Sequence, residues 1–149
     1  MGKLNDLLGQ KIYLDTNIFI YALEQNPEYA AVVDRLFALF DAAKAAAFTS
    51  EIALAECLVK PCADGNSDFQ IRYQAAITTR PGLTVYPISR SMIIRAAHIR
   101  AAHKVRLPDA IHLATALDAS CDFFLTNDQL VKPIPGITLI QLSDLYVGV

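Results

Sequence analysis

Four carboxylates lie in four separated segments of the chain, three of them where the segments change type and one, Glu56, on a predicted helix. Asp15 closes the apolar run "KIYLD" and precedes "TNIFIYAL". Glu56 lies in "TSEIALAEC", Asp109 in "LPDAIHLATAL" and Asp128 in "FLTNDQL". Taken singly, each has a plain explanation. Asp15 can cap a helix, Glu56 can face solvent, Asp109 can be a first-turn helix acid, and Asp128 can be a turn residue. Glu51 reads as a solvated first-turn residue. The plain explanations weaken together, because the four acids come from separated segments and fall near one predicted edge. Converged carboxylates repel one another, which raises their pKa values unless a cation joins them. Hard oxygen donors of this kind suit Mg²⁺ or Mn²⁺. Thr16, Asn17, Thr126 and Asn127 flank two of the acids. Their short polar side chains can hydrogen-bond the carboxylates and fix their orientation.

The elements that must position these groups follow from the pattern of apolar residues. Residues 11–15 read as a short buried strand, and 17–24 as a helix closed by "QNP". Val32, Val33, Leu36, Phe37 and Phe40 repeat at helical spacing within 28–45. "AAFTS" reads as a strand, with Ser50 capping a helix to about Leu58. "KPCADGNSD" reads as a loop, broken by Pro61 and Gly65. Residues 67–79 look helical, "RPG" turns the chain, and "LTVYPI" is a strand. Ser89 caps a long helix to about Lys104, and Pro108 opens another, where its missing N–H costs nothing. "DFFLT" and "ITLIQL" are the last strands. Strands alternating with helices predict an α/β fold with a mostly parallel sheet of about five strands, covered on both faces. Ligands bind beyond the carboxyl ends of such strands, where the four acids are expected.

Composition bounds the remaining classes. With 149 residues, one domain spanning 1–149 is expected. The chain is 54 % hydrophobic and 19 % charged, yet no apolar run is long enough to span a membrane. The first residues show neither a signal-peptide core nor a myristoylation pattern, so a cytoplasmic protein is expected. Cys57, Cys62 and Cys121 are odd in number and form no C-x-x-C pair, which predicts reduced, mostly buried thiols. The net charge of −2 excludes a basic nucleic-acid coat. Even so, Arg90, Arg95, Arg100, Lys104 and Arg106 lie in an acid-free stretch that leads into Asp109. Such cations can bring a phosphate backbone towards an acidic pocket, although they cannot all share one side of a helix. His112 shares a helix face with Asp109 and reads first as a packed or surface histidine. The glycines Gly2, Gly9, Gly65, Gly82, Gly136 and Gly148 form no phosphate-binding turn, which removes Rossmann and P-loop readings. A haloacid-dehalogenase-type phosphatase would want an acid where Asn17 stands.

The stretches "YLDTNIFI", "TSEIALAE", "LPDAIHLATAL" and "FLTNDQL" resemble, in order and spacing, those of the PIN-domain family and within it the VapC-like toxins of toxin–antitoxin pairs. The resemblance covers about residues 11–142. It implies a three-layer α/β/α sandwich and a ribonuclease dependent on Mg²⁺ or Mn²⁺. Asp15, Glu56, Asp109 and Asp128 fall on the family's acidic positions, Thr126 on its hydroxyl and Asn17 on its small polar position. The last motif reads T-N-D, so Asn127 and Asp128 can both face a metal; Asp128 is the favoured acid and Asp122 a distant one. The implied reaction is hydrolysis of an RNA phosphodiester by a metal-bound water. The implied partners are an RNA substrate, an antitoxin protein that masks the site, and a second copy in a homodimer. The competing class is a PIN-like module that binds RNA or protein without cleaving it.

Overall fold

The computed structural model describes residues 2–145. The expected domain of 1–149 therefore includes residue 1 and residues 146–149, which lie outside the described residues. The strands are β1 (Lys11–Leu14), β2 (Ala46–Ser50), β3 (Leu83–Tyr86), β4 (Phe123–Thr126) and β5 (Thr138–Gln141). The helices are α1 (Thr16–Glu24), α2 (Ala30–Asp41), α3 (Glu51–Ala63), α4 (Ser67–Ala76), α5 (Arg90–His103) and α6 (Leu107–Asp118). The five strands form one sheet in the order β3-β2-β1-β4-β5, and every pairing is parallel. The chain moves outward from β1 to β2 and β3, then returns to the other side of β1 for β4 and β5. The connections therefore diverge between β1 and β4, and a crevice opens there beyond the strands' carboxyl ends.

Strand alternation divides the core into two layers. Ile12 and Leu14 of β1, Ala47 of β2 and Leu125 of β4 pack with Ile18, Phe19, Val33, Leu36, Cys57 and Tyr73 from α1–α4. Tyr13, Phe48 and Phe124 point to the opposite face and pack with Ala96, Ile99, Ala110, Leu113 and Ala114 from α5 and α6. The result is the expected α/β/α sandwich. Two helix starts follow their sequence signals. The Ser89 hydroxyl accepts the Met92 N–H at 3.2 Å, and Pro108 sits in the first turn of α6.

Two local expectations need correction. Ser50 occupies the N-cap position of α3 but makes no side-chain cap bond, because its hydroxyl is engaged by Tyr13 at 2.9 Å. Helix α3 runs through Pro61 to Ala63, where a loop was expected. The Pro61 carbonyl is taken by the Asn66 N–H at 2.8 Å and the Gln70 side chain at 3.2 Å, so docking against α4 supports the extra turn. Cys57 and Cys121 are buried free thiols, pushed up to about 12 by burial, whereas Cys62 is exposed. The "RPG" turn needs its glycine. Gly82 has φ +94°, and a Cβ there would lie 2.5 Å from the Phe40 carbonyl oxygen. Among the described residues no helix is long and apolar enough to cross a membrane.

Candidate active site

The crevice beyond β1 and β4 is a cleft of about 250 Å³ lined by Asp15, Thr16, Asn17, Ile20, Glu56, Arg106, Pro108, Asp109 and Asp128. All four predicted acids are therefore brought together. Asp15 caps α1 directly after β1 and is 6 % exposed. One carboxylate oxygen accepts the Thr16 N–H at 2.8 Å, and the other accepts the Thr126 hydroxyl at 2.6 Å. The Thr126 oxygen in turn accepts the Asp128 N–H at 3.0 Å, which ties the ends of β1 and β4 together.

Glu56 reaches the cleft from α3. Its Oε1 accepts the Thr16 hydroxyl at 2.7 Å and lies 2.6 Å from His112 Nε2. Burial pushes the Glu56 carboxyl up, but the hydrogen bond and charge of His112, with Thr16 and Arg106, outweigh it and hold the group below its ordinary value. His112 is fully buried on α6, with Nδ1 2.7 Å from the Tyr13 hydroxyl. Burial would lower this imidazole; the Glu56 hydrogen bond and the charges of Asp15, Glu56 and Asp109 overcome it and raise the pKa.

Asp109 lies in the first turn of α6 and is 8 % exposed. Burial raises its carboxyl above the ordinary value despite the Arg106 hydrogen bond. Arg106 Nε donates to Asp109 Oδ2 at 2.6 Å, and its Nη2 pairs with Asp128. The guanidinium thus bridges two of the four acids. For Asp128, the raising effect of burial is outweighed by Arg106 and by the Leu130 N–H, and the pKa is lowered.

The flanking polar residues divide by role. Thr16 and Thr126 orient carboxylates as described. Asn17 lines the cleft, and its Oδ1 accepts the Asn127 N–H at 3.3 Å. Asn127 turns its side chain away, to the Tyr21 hydroxyl at 3.3 Å and the Ser143 N–H at 3.0 Å, so Asp128 is the T-N-D residue that faces the cleft. Asp122 does not reach it. Its carboxylate accepts the Lys11 N–H at 2.8 Å, at the amino-terminal end of the sheet.

The five basic residues do not act as a group. Arg106 alone among them lines the cleft. Arg95 pairs with Asp118, nine residues beyond Asp109 on α6, or about 13 Å along a helix axis. Arg100 donates to the Val105 carbonyl at 2.9 Å, Lys104 caps α5 in a left-handed conformation, and Arg90 is exposed at the start of that helix. Helical rotation disperses them, as their spacing implies. His112, expected as a packed or surface histidine, and Tyr13, for which no site role was expected, both join the hydrogen-bond chain behind Glu56. The available signals were the three-residue spacing of His112 from Asp109 and a hydroxyl-bearing ring in the otherwise aliphatic strand "IYL".

A parallel α/β/α sandwich with acids at the divergence of its central strands defines the class. Residues 12–134 match the family model for the PIN domain, and the chain belongs to that family. Among solved structures it is similar to a chain of VapBC2 from Rickettsia felis, crystallised with a DNA fragment from its promoter, at 19 % identity and a TM-score of 0.67, covering 88 % of this chain and 98 % of that one. A toxin–antitoxin complex from Klebsiella pneumoniae matches at 26 % identity and a TM-score of 0.61, covering 88 % and 97 %. DNA-bound VapBC from Salmonella typhimurium matches at 24 % identity and a TM-score of 0.62, covering 89 % and 98 %. No curated protein matches the chain significantly.

Proposed function

We propose that the chain is a divalent-cation-dependent endoribonuclease and the toxin of a toxin–antitoxin pair. The observation that carries this reading is the convergence of Asp15, Glu56, Asp109 and Asp128, from four separated segments, on one cleft. The donor chemistry fits Mg²⁺ or Mn²⁺, since every acid offers hard oxygen and the cleft holds no competing thiol. Asp15, Glu56 and Asp109 would hold the ion, with Asp128 assisting. A bound ion would lower the pKa of a water molecule and offset charge on the phosphate.

The chain's own residues do the rest. Thr16 and Thr126 hold the carboxylates of Glu56 and Asp15 in place. Arg106 lines the cleft beside Asp109 and Asp128, and with those acids holding a cation its guanidinium would be placed to meet a phosphate oxygen. Arg90, Arg95, Arg100 and Lys104 belong, at most, to a wider RNA path outside the cleft. An antitoxin as partner is supported by the Klebsiella complex. Exposed Val59, Ile71, Ile93, Ile94 and Leu130 offer apolar surface for it or for a second copy in a homodimer.

One observation favours a non-catalytic PIN-like module that binds RNA or protein. Arg106 is shared between Asp109 and Asp128, and among the described residues no three His, Cys, Asp or Glu side chains form a ready-made metal cage. The experiment that separates the two is cleavage of a mixed RNA pool with Mg²⁺ or Mn²⁺, beside EDTA and Asp15→Asn controls. Cleavage abolished by both controls supports the nuclease; RNA binding without cleavage supports the module.

A further inference from the structure

We propose that His112 is a positioning residue for Glu56, held in register by Tyr13, so that one oxygen of the Glu56 carboxylate is tied down and the other is left for a cation. This inference rests on the metal-nuclease reading above and assigns a task to a histidine which that reading leaves unused. Glu56 Oε1 takes both the Thr16 hydroxyl at 2.7 Å and His112 Nε2 at 2.6 Å. Among the described residues Oε2 has no hydrogen-bond partner, and the Glu56 side chain is 37 % exposed. A glutamate with that much freedom loses considerable rotamer entropy when it is fixed. The two donors on Oε1 meet that cost before any cation arrives.

The imidazole is anchored from behind. His112 is fully buried, its Nδ1 lies 2.7 Å from the Tyr13 hydroxyl, and that hydroxyl lies 2.9 Å from Ser50 Oγ. The Tyr13 ring sits edge-on to the imidazole with centroids 5.6 Å apart and stacks on Phe124 at 5.3 Å. Both rings below the histidine are fully buried on strands β1 and β4, so the orientation of Glu56 is referred to the interior of the sheet. The chain of bonds works in either charge state of the imidazole. A carboxylate only accepts, so Nε2 carries a proton in both. Nδ1 then accepts from the Tyr13 hydroxyl or donates to it, and Ser50 completes the chain by donating or accepting in turn. With both ring nitrogens engaged, His112 acts through Glu56 and not as a ligand itself.

The test uses the full chain with His112→Leu, His112→Gln, Tyr13→Phe and Glu56→Gln, plus the double variant His112→Leu with Glu56→Gln. Mn²⁺ affinity is read by calorimetry, and folding by thermal melting in EDTA. Removing a group that supports a ligand lowers metal affinity about 10- to 100-fold, which is the loss expected for His112→Leu. Glutamine keeps a donor near the Nε2 position and recovers part of it, and Tyr13→Phe falls between. In the double variant, His112→Leu adds little to the loss caused by Glu56→Gln. Wild-type Mn²⁺ affinity in folded His112→Leu, or losses that simply multiply in the double variant, would overturn the proposal. A metal-free readout separates it from the wider reading. Nitrogen NMR of His112 in EDTA shows Nε2 protonated, with a resonance that shifts in Glu56→Gln. If that signature is present but wild-type protein binds no Mn²⁺, the metal reading fails while the His112–Glu56 contact stands. If the signature is absent, the positioning role fails whatever the metal result.

Discussion

The two sides of the cleft are built differently. On one side Asp15 and Glu56 are held by Thr16, Thr126 and His112, through bonds that lead into the buried sheet at Tyr13. On the other side Asp109 and Asp128 are joined by Arg106, whose side chain is 48 % exposed. The first side spends mostly uncharged donors on its carboxylates, so their geometry is fixed while their charge remains available. The second side is bridged by a half-exposed guanidinium that another cation can replace. A site that must both exist without metal and accept it gains from this division. Permanent order sits where the backbone is buried, and an exchangeable charge sits at the rim.

Breaking the ordered side should have the largest effect. Asp15→Asn keeps the cap and a partner for Thr126, so the melting temperature should not fall. RNA cleavage should drop by at least about 100-fold, beyond the range typical of residues that merely support a ligand. Thr126→Val removes one donor to Asp15, and cleavage should fall by about 10-fold with Mn²⁺ affinity lowered in step.

The rim should respond in the opposite direction. Exposed ion pairs contribute only about 0.2–1 kcal/mol each, which fits the Arg106–Asp128 pair, while the pair with buried Asp109 contributes at least as much. Losing both in Arg106→Ala should therefore tighten Mn²⁺ binding by at least about 2-fold. Cleavage should nevertheless fall, because the phosphate contact is lost, and the salt dependence of RNA binding should become shallower. Weaker Mn²⁺ binding in this variant would mean that Arg106 helps to build the site.

The smallest expected effect is on stability in EDTA. The raised pKa of His112 contributes stability that is complete below its ordinary value of 6.5 and is lost as pH rises through the folded value. The lowered pKa of Glu56 contributes stability that is complete above its ordinary value of 4.5 and is lost as pH falls through the folded value. Both contributions are whole between about pH 4.5 and 6.5. Urea denaturation across pH 4 to 9 should show His112→Leu losing the alkaline decline relative to wild type.

Asp15, Asp109 and Asp128 were legible because each stands at a junction that local pattern reveals, a strand end, a helix start or a turn, whereas Glu56 stands inside α3 and was legible only with the other three. The parallel sheet was legible from the alternation of apolar strands with amphipathic helices, and the structure makes every pairing parallel. What escaped was set by contacts between elements. The stop signal at Pro61 is local, but the docking of α3 on α4 overrides it. Arg106 reads as a basic residue in a basic stretch; its pair with Asp109 is local, three residues on, but its second partner, Asp128, is brought to it by the topology. His112 has an ordinary sequence context, and its connection to Glu56 spans a helix from the opposite side of the sheet. Residue type and spacing give the donors; only the fold shows which of them are already engaged.

The most direct test is calorimetric titration of Mn²⁺ into metal-free wild-type protein and into Asp15→Asn. Binding by the wild type that disappears or weakens by at least about 100-fold in a fully folded Asp15→Asn is the predicted result. Equal binding by the two proteins, or none by either, would contradict the claim that the acids converge to hold a divalent cation.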